Sequence, residues 1–186
     1  MNQSEKRIYL LRELLNEGGY ANDIPANAES QRQLLRGLMN VRRARRAGAE
    51  FLRVQDEYLQ GETTAKGITD VNDLVPVQPG LYLWQGDITT LRCDAIVNAA
   101  NSGMTGCYIP NHQCIDNVIH TYAGVELRLA CAELMEKQGH PEPTGKAKIT
   151  SAFNLPCRYV LHTVGPIVED KVTKRDEELL ASSYRS

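Results

Sequence analysis

Apolar residues recur at helical spacing in three stretches near the amino terminus of the chain. These stretches are residues 4–16, which end before a Gly-Gly pair, residues 29–46 and residues 49–60. In each of them, leucines, valines or aromatic residues stand three and four positions apart, which lines one face of an α-helix. We therefore predict a helical amino-terminal segment whose apolar stripes must cover another surface.

The pattern changes beyond residue 60. Residues 61–79 contain Thr, Asn, Asp and Pro in a combination that is typical of a linker. Short apolar runs then predict buried strands, and longer amphipathic stretches predict helices. The predicted strands are residues 81–84, 95–97, 149–153 and 159–164, and the predicted helices are residues 115–134 and 174–186. Strands that alternate with helices indicate an α/β layer fold.

The two patterns divide the chain into two predicted parts. Residues 1–75 form a helical amino-terminal extension, and residues 76–186 form an α/β domain. No strand follows the last amphipathic stretch, so we expect this domain to be incomplete at its carboxyl end. We expect the extension to contribute to partner recognition or stability rather than to chemistry.

The charge of the chain argues against several function classes. The formal net charge is only −2 over 186 residues, so no global field attracts nucleic acid or an anionic membrane. The basic run at residues 42–46 has no interleaved aromatic residues, and a solvated helix end is the simpler interpretation. We find no signal-peptide pattern and no run of roughly 20 apolar residues that could span a membrane. We expect a cytoplasmic protein without nucleic-acid or membrane partners.

Two of the five cysteines lie close together around a histidine. Cys107, His112 and Cys114 form a Cys-x4-His-x-Cys pattern, whereas Cys93, Cys131 and Cys157 lie in apolar contexts that favour core packing. One imidazole and two thiolates form a donor set that zinc accepts at about 2.0 to 2.3 Å. Three protein ligands leave one position open, as in catalytic zinc sites. A Cys107–Cys114 disulfide and two free thiols beside a surface histidine remain alternatives from the spacing alone.

Two short motifs carry the other candidate chemistry. Residues 86–89 read Gly-Asp-Ile-Thr after a predicted strand, and residues 96–101 read Ile-Val-Asn-Ala-Ala-Asn. Asparagine side chains after a strand can bond sugar hydroxyls as donors and acceptors. Taken alone, the first motif is as compatible with a turn, and the asparagines are as compatible with helix caps.

In this order and spacing, the motifs resemble those of the macrodomain family. The resemblance continues through residues 116–120, 144–147 and 159–166, and it covers the chain from about residue 80 to the end. It implies a three-layer α/β/α fold with a mixed sheet, preceded by the helical extension. It also implies an ADP-ribose site that includes Asp87, Ile88, Asn98, Asn101 and Asp116.

The resemblance implies a role for each of these residues. Asp87 would accept a hydrogen bond from the adenine amino group, and Ile88 would donate its backbone amide nearby. Asn98 and Asn101 would flank the distal ribose, and Asp116 would lie beside the diphosphate and the reactive ribose. A helix amino terminus independently suits a diphosphate. A helix-cap role for Asp116 remains an alternative.

The family resemblance also bears on two histidines and on the loop between the motifs. His120 and His162 fall within matched segments, and we expect structural roles for both. Where ordinary macrodomains carry a run of glycines, residues 106–114 are longer and hold the Cys-x4-His-x-Cys pattern. Through this longer loop, the chain resembles the zinc-containing macrodomain branch of microbes. That branch is often linked to a sirtuin-type ADP-ribosyltransferase. That branch removes ADP-ribose from a lipoyl-carrying, glycine cleavage H-like protein.

The resemblance therefore implies a zinc-dependent hydrolase that removes ADP-ribose from protein side chains, with Asp or Glu linkages expected. Zn²⁺ held by Cys107, His112 and Cys114 would activate water or polarise the substrate. Asn101 and Asp116 would be the catalytic residues, with Asn101 positioning the ribose and Asp116 acting as orienter or base. A reader module that binds ADP-ribose without cleaving it is the alternative.

Overall fold

Three helices form the amino-terminal part of the protein, as the sequence predicts. The computed structural model describes residues 1–186 and contains helix α1 at Gln3–Gly18, α2 at Ala28–Val41 and α3 at Ala49–Lys66. A capping box of Asn2 and Glu5 begins α1, and Gly19, with a φ of 69°, ends it. The predicted helices are therefore confirmed, although two of them end at different residues.

Helix α2 ends at Val41 rather than at residue 46. The basic run after it forms a loop that the Arg42 side chain stabilises. Arg42 is buried, and its Nε lies 3.0 Å from the Glu17 carboxylate. Its two terminal nitrogens donate to the carbonyl groups of Arg45 and Arg46 at 2.9 and 3.2 Å. The interpretation of this run as a solvated helix end holds for Arg43, Arg45 and Arg46, which are exposed just after α2. It is wrong for Arg42, whose buried guanidinium organises residues 42–46 into a loop.

The predicted linker is also partly wrong, because α3 continues to Lys66. Four short strands follow: β1 at Thr69–Asp70, β2 at Pro76–Gln78, β3 at Leu81–Tyr82 and β4 at Leu91–Arg92. Strands β1 and β4 pair in parallel, and β2 and β3 form an antiparallel pair. The strand predicted at residues 81–84 is short and exposed rather than buried, with Leu83 83% exposed.

The central sheet is mixed, as expected. It contains β5 at Ala95–Ala99, β6 at Ala147–Ser151 and β7 at Tyr159–Thr163 in the order β5-β7-β6. Strands β5 and β7 are parallel, whereas β6 and β7 are antiparallel. Ile96 and Val160 point from this sheet into the core, where they meet the helices that follow β5.

The single long helix predicted at residues 115–134 is two helices. These are α4 at Ile115–Ala123 and α5 at Val125–Gln138, and Gly124 separates them with a φ of 96°. A last helix, α6 at Lys174–Ser183, begins with a capping box, in agreement with the predicted helix there. The apolar spacing continues across Gly124, so the pattern alone cannot reveal the break.

Two hydrophobic clusters stabilise the chain, one within α1, α2 and α3 and the other between the sheet and α4 and α5. Val125 at the start of α5 belongs to the first cluster. Its backbone amide donates to Oε1 of the buried Gln55 of α3 at 2.9 Å. The helical extension is thus docked on the junction of α4 and α5. No helix combines the length and the apolar character that crossing a membrane requires.

The contact at Gly124 gives a testable prediction about this docking. A Cβ at Gly124 would lie 2.7 Å from the Gln55 side chain, whereas Gly139, with a φ of 76°, has nothing within 4 Å. Both Gly→Ala substitutions strain the backbone by about 1 kcal/mol or more. We expect Gly124→Ala to lower the free energy of unfolding in urea clearly more than Gly139→Ala does. Equal losses would show that the close approach to Gln55 is unimportant.

Candidate functional site

Three of the predicted site residues meet at the carboxyl end of β5. Asn98 lies on β5, Asn101 lies just beyond it, and Asp116 lies in the first turn of α4. Asn98 Nδ2 donates to Asp116 Oδ1 at 2.8 Å, and Asn101 Nδ2 donates to Oδ2 at 3.2 Å. Burial raises the pKa of Asp116, and the two asparagine hydrogen bonds offset part of this shift. The structure therefore unites an almost fully buried carboxyl group with both asparagines.

Behind this group, a hydrogen-bonded chain continues into the core. The Nδ2 of Asn98 lies 3.1 Å from His162 Nδ1, and His162 Nε2 lies 2.9 Å from Thr150 Oγ1. Because an amide nitrogen can only donate, Nδ1 accepts, and the ring proton is assigned to Nε2. Burial lowers the pKa of His162 to about 4. His162 is thus a neutral core residue that orients Asn98.

His120 lies beside this chain, with its ring centroid 6.0 Å from that of His162. It is buried, and neither ring nitrogen has a hydrogen-bond partner. Burial, followed by the proximity of the Arg128 guanidinium and of the His162 ring, lowers its pKa well below the usual value. Both histidines are buried in the core, which agrees with the structural roles expected for them.

Asp87 and Ile88 lie at a separate short 3-10 helix, Ile88–Thr90. Asp87 caps this helix by accepting from the Thr89 amide at 2.9 Å, and its other oxygen accepts from Lys66 Nζ at 2.8 Å. Burial alone would raise the pKa of Asp87, but the bonds from Lys66 and Thr89 together lower it. No hydrogen bond or ion pair connects Asp87 to Asp116 or its asparagines, so the adenine contacts of Asp87 and Ile88 stay predictions.

Sequence reasoning missed Lys66, because its position falls within the predicted linker. Its ammonium also lies 3.4 Å from the centroid of the Tyr122 ring. An adenine amino group would therefore share the Asp87 carboxylate with a lysine. The extra length of α3, which carries Lys66 to this position, has no clear signal in the apolar spacing.

The three predicted metal ligands are brought together by the loop before α4. The donor atoms of Cys107, His112 and Cys114 all lie within 4.8 Å of one another, and Cys107 Sγ is 3.6 Å from His112 Nδ1. Zinc bonds of about 2.0 to 2.3 Å in a tetrahedral site separate neighbouring donors by about 3.5 to 3.8 Å. All five cysteines are free thiols, so the alternative of a disulfide is not formed. The donor set therefore fits zinc in its chemistry, and the distance from Cys107 to His112 lies in the range of a tetrahedral site.

The predicted metal ligands and the buried carboxyl group share one end of α4. Cys114 is the N-cap of α4, and its Sγ accepts from the Asn117 amide at 3.4 Å. Asp116 lies two residues further along, and Asn101 Nδ2 also donates to the Gly106 carbonyl, next to Cys107, at 3.2 Å. Burial is the largest cause that raises the pKa of the Cys114 thiol. A soft donor set, a carboxyl group and two amides thus surround one helix amino terminus.

Comparison with known proteins identifies the family of the chain. A family model described as Macro domain matches residues 97–186. The chain is 57% identical over 192 residues to a protein of Treponema medium named protein-ADP-ribose hydrolase. This match covers 100% of this chain and 74% of that protein. The chain belongs to the Macro domain family. It is also 48% identical over 183 residues to a protein of the same name from Staphylococcus aureus (strain MSSA476), with 96% of this chain and 68% of that protein covered.

A solved macrodomain shares the fold. The crystal structure of the Trypanosoma brucei macrodomain in complex with ADP-ribose matches with a TM-score of 0.54 and 26% sequence identity. The match covers 80% of this chain and 64% of that chain, so this chain spans less than two thirds of the solved one. The α/β macrodomain fold with a mixed sheet is therefore confirmed, and it is consistent with the expected three-layer α/β/α arrangement.

The neutral His162 in the core of this macrodomain predicts a specific acid sensitivity. Its pKa of about 4 lies below the unfolded value of about 6.5, so the unfolded chain binds the proton more tightly between these values. The contribution of the neutral His162 ring to the free energy of unfolding is fully present above pH ~6.5. It is lost as the pH falls toward ~4. We expect the free energy of unfolding to fall with decreasing pH in this window by up to about 1.4 kcal/mol per pH unit for this group.

The substitution His162→Gln should reduce that slope, because glutamine can bond both Asn98 and Thr150 but does not titrate. His120 would still contribute to the slope. The exposed His140 offers a matched control, and His140→Gln should leave the slope as in wild type. Urea unfolding at several pH values measures the slopes, and an unchanged slope in His162→Gln would contradict the assignment.

Proposed function

We propose that this macrodomain is a protein-ADP-ribose hydrolase that cleaves ADP-ribose from Asp or Glu side chains with the help of zinc. The observation that carries the proposal is the placement of Cys107, His112 and Cys114 beside Asn101 and Asp116 at one end of α4. The relatives from Treponema medium and Staphylococcus aureus, which are both named protein-ADP-ribose hydrolase, support the same reaction class.

The residues at the end of β5 supply the contacts to ADP-ribose in this proposal. Asn101 is the exposed member of the group, and its Oδ1 accepts from the Gly103 amide at 2.9 Å, which fixes the side chain. From this position it orients the distal ribose through hydrogen bonds to the hydroxyl groups. The amino terminus of α4 faces the same region and favours the negative charge of the diphosphate.

Asp116 has two tasks that follow one another. In the free protein both of its oxygens accept hydrogen bonds, one from Asn98 and one from Asn101. It therefore first holds the two amides in place. To act as a base it must release one of them, and the exposed Asn101 is the one that a ribose hydroxyl can engage instead. Oδ2 is then the oxygen that accepts a proton from substrate or water.

Cys107, His112 and Cys114 would hold the metal ion. When bound, zinc supplies Lewis acidity, which polarises substrate oxygen atoms and acidifies water near neutral pH. The protein ligands number three, so the set leaves room for a fourth, non-protein ligand. The substrate is an ADP-ribosylated protein, and the lipoyl-carrying, glycine cleavage H-like protein of the resemblance is our candidate for it.

Replacement of one thiolate tests the role of the metal. We expect Cys114→Ser to weaken zinc binding well beyond tenfold, because a soft, charged ligand is lost. Release of ADP-ribose from a modified protein should collapse, while affinity for free ADP-ribose should fall much less. Metal analysis, calorimetry and a release assay on the purified protein measure the three effects. Cys93→Ser is the matched control, since Cys93 lies outside the metal cluster.

The outcomes separate the alternatives. A metal-free Cys114→Ser variant that cleaves at the wild-type rate would make zinc unnecessary and leave Asp116 as the catalytic group. A wild-type protein that binds zinc and ADP-ribose but never releases ADP-ribose from modified proteins would be a reader module.

The adenine contact of Asp87 is tested separately. We expect Asp87→Ala to weaken ADP-ribose binding by about 1.5 to 3 kcal/mol, because a charged acceptor is lost. Isothermal titration calorimetry measures the change. Asp94→Ala is a suitable control, because that carboxylate is 88% exposed and belongs to a neighbouring segment. Unchanged affinity in a folded Asp87→Ala protein would remove Asp87 from the adenine site.

A further inference from the structure

Helix α2 of the amino-terminal extension contacts the loop that carries the metal ligands. This loop, residues 107–114, is called the metal loop below. Arg36 Nη2 donates to the backbone carbonyl of His112 at 2.7 Å. One helical turn further on, Asn40 Oδ1 accepts from the backbone amide of Asn111 at 2.9 Å. Two consecutive residues of the metal loop, one of them a metal ligand, are thus bonded to a helix outside the Macro domain match.

Arg36 also contacts the metal loop indirectly, through the side chain of Asn117 of α4. The same Nη2 donates to Asn117 Oδ1 at 3.0 Å. Asn117 is completely buried, and its Nδ2 donates to the carbonyl groups of Ile109 at 2.9 Å and Cys107 at 3.4 Å. Its backbone amide donates to Cys114 Sγ. Arg36 therefore fixes the residue that bonds the loop at three points, two through its side chain and one through its backbone amide.

The side chain of Asn40 is also fixed by a contact to α4. It is buried, and its Nδ2 donates to Thr121 Oγ1 of α4 at 3.0 Å. Arg128 of α5 stacks over the Tyr108 ring of the metal loop at 4.1 Å, and it donates to the Arg42 carbonyl at 2.8 Å. The metal loop thus lies between α2 on one side and α4 and α5 on the other.

We propose that Arg36 is a positioning residue for the metal site, acting with Asn40 to hold the loop in the shape that places its three ligands together. This inference rests on the proposed zinc site. A free loop would lose conformational freedom when it binds an ion, whereas a loop already fixed by Arg36 and Asn117 has less to lose. Groups that orient metal ligands typically change metal affinity by about 10- to 100-fold when they are removed.

Arg36 and Arg32 lie one turn apart on α2 but bond different partners. This difference shows that the contact of Arg36 with the metal loop is specific to its position. Arg32 forms an ion pair with Glu62 of α3 at 3.0 Å and makes no bond to the loop. Arg36 instead donates only to groups in or next to the metal site, and its Nε is buried without a partner. Leaving this one buried nitrogen without a partner is unfavourable, and the two bonds from Nη2 are the contacts that hold the half-buried side chain in this position.

The experiment measures zinc affinity by chelator competition on the purified full chain. We expect Arg36→Met to weaken zinc binding about 10-fold or more, because the apolar stem of the side chain is largely kept but the donors are lost. Arg36→Lys should restore part of the affinity, since one ammonium can bond His112 but cannot reproduce the planar fork. Arg32→Met is the matched control, with the same change of charge on the same helix, and it should bind zinc as wild type does.

A second measurement reports on the loop without metal. Backbone amide hydrogen exchange in residues 107–114 should be faster in metal-free Arg36→Met than in Arg32→Met. If folded Arg36→Met keeps wild-type zinc affinity and wild-type exchange, the proposal is wrong. If Arg36→Met does not fold, Arg36→Lys decides by the same criteria. Failure of the zinc site itself is distinguishable, because then the wild-type protein would bind no zinc that Cys114→Ser removes.

Discussion

A carboxyl group that is withdrawn from water needs hydrogen bonds from its surroundings, and the Asp116 group obtains them from Asn98 and Asn101. This requirement connects the end of β5 to the start of α4, which pack on one another through Ile96 and Ile119 in the core. It also fixes the side chain of Asn101, which is the exposed one of the two asparagines. The central sheet and α4 are therefore joined by a polar contact as well as an apolar one.

Three nearby residues at the start of α4 extend this arrangement in different directions. Cys114 ends the metal loop and caps α4, Asp116 bonds the asparagines, and Asn117 bonds the loop carbonyls and Arg36. Successive helical residues are turned by about 100°, so one helix turn can serve all three. A rotation or shift of α4 would disturb the cysteine-histidine cluster and the bonds of Asp116 to the asparagines together. The helical extension, through Arg36 and Asn40, helps to prevent such a shift.

The sequence predicts the parts of the fold that depend on apolar spacing and on motifs. The helices of the extension, the strands of the mixed sheet and the grouping of Asn98, Asn101 and Asp116 all follow in this way. The division of α4 from α5 does not, because it depends on the left-handed backbone of Gly124 and on the Gln55 side chain beside it. Likewise, the pairing of Lys66 with Asp87 depends on how far α3 continues, and apolar spacing does not specify that.

The order of elements along the chain has a consequence for folding. Helix α2 contacts α1 and α3 at sequence separations of 24 and 30 positions, as in Arg7–Gln31 and Arg32–Glu62. In contrast, β5 pairs with β7 across more than sixty positions, as Ala95 with Tyr159. Local contacts form faster than distant ones. We therefore expect the amino-terminal bundle to fold first and to present Arg36 and Asn40 as a preformed template. The loop of cysteines would then take its shape against this surface, late in folding, when α4 arrives beside it.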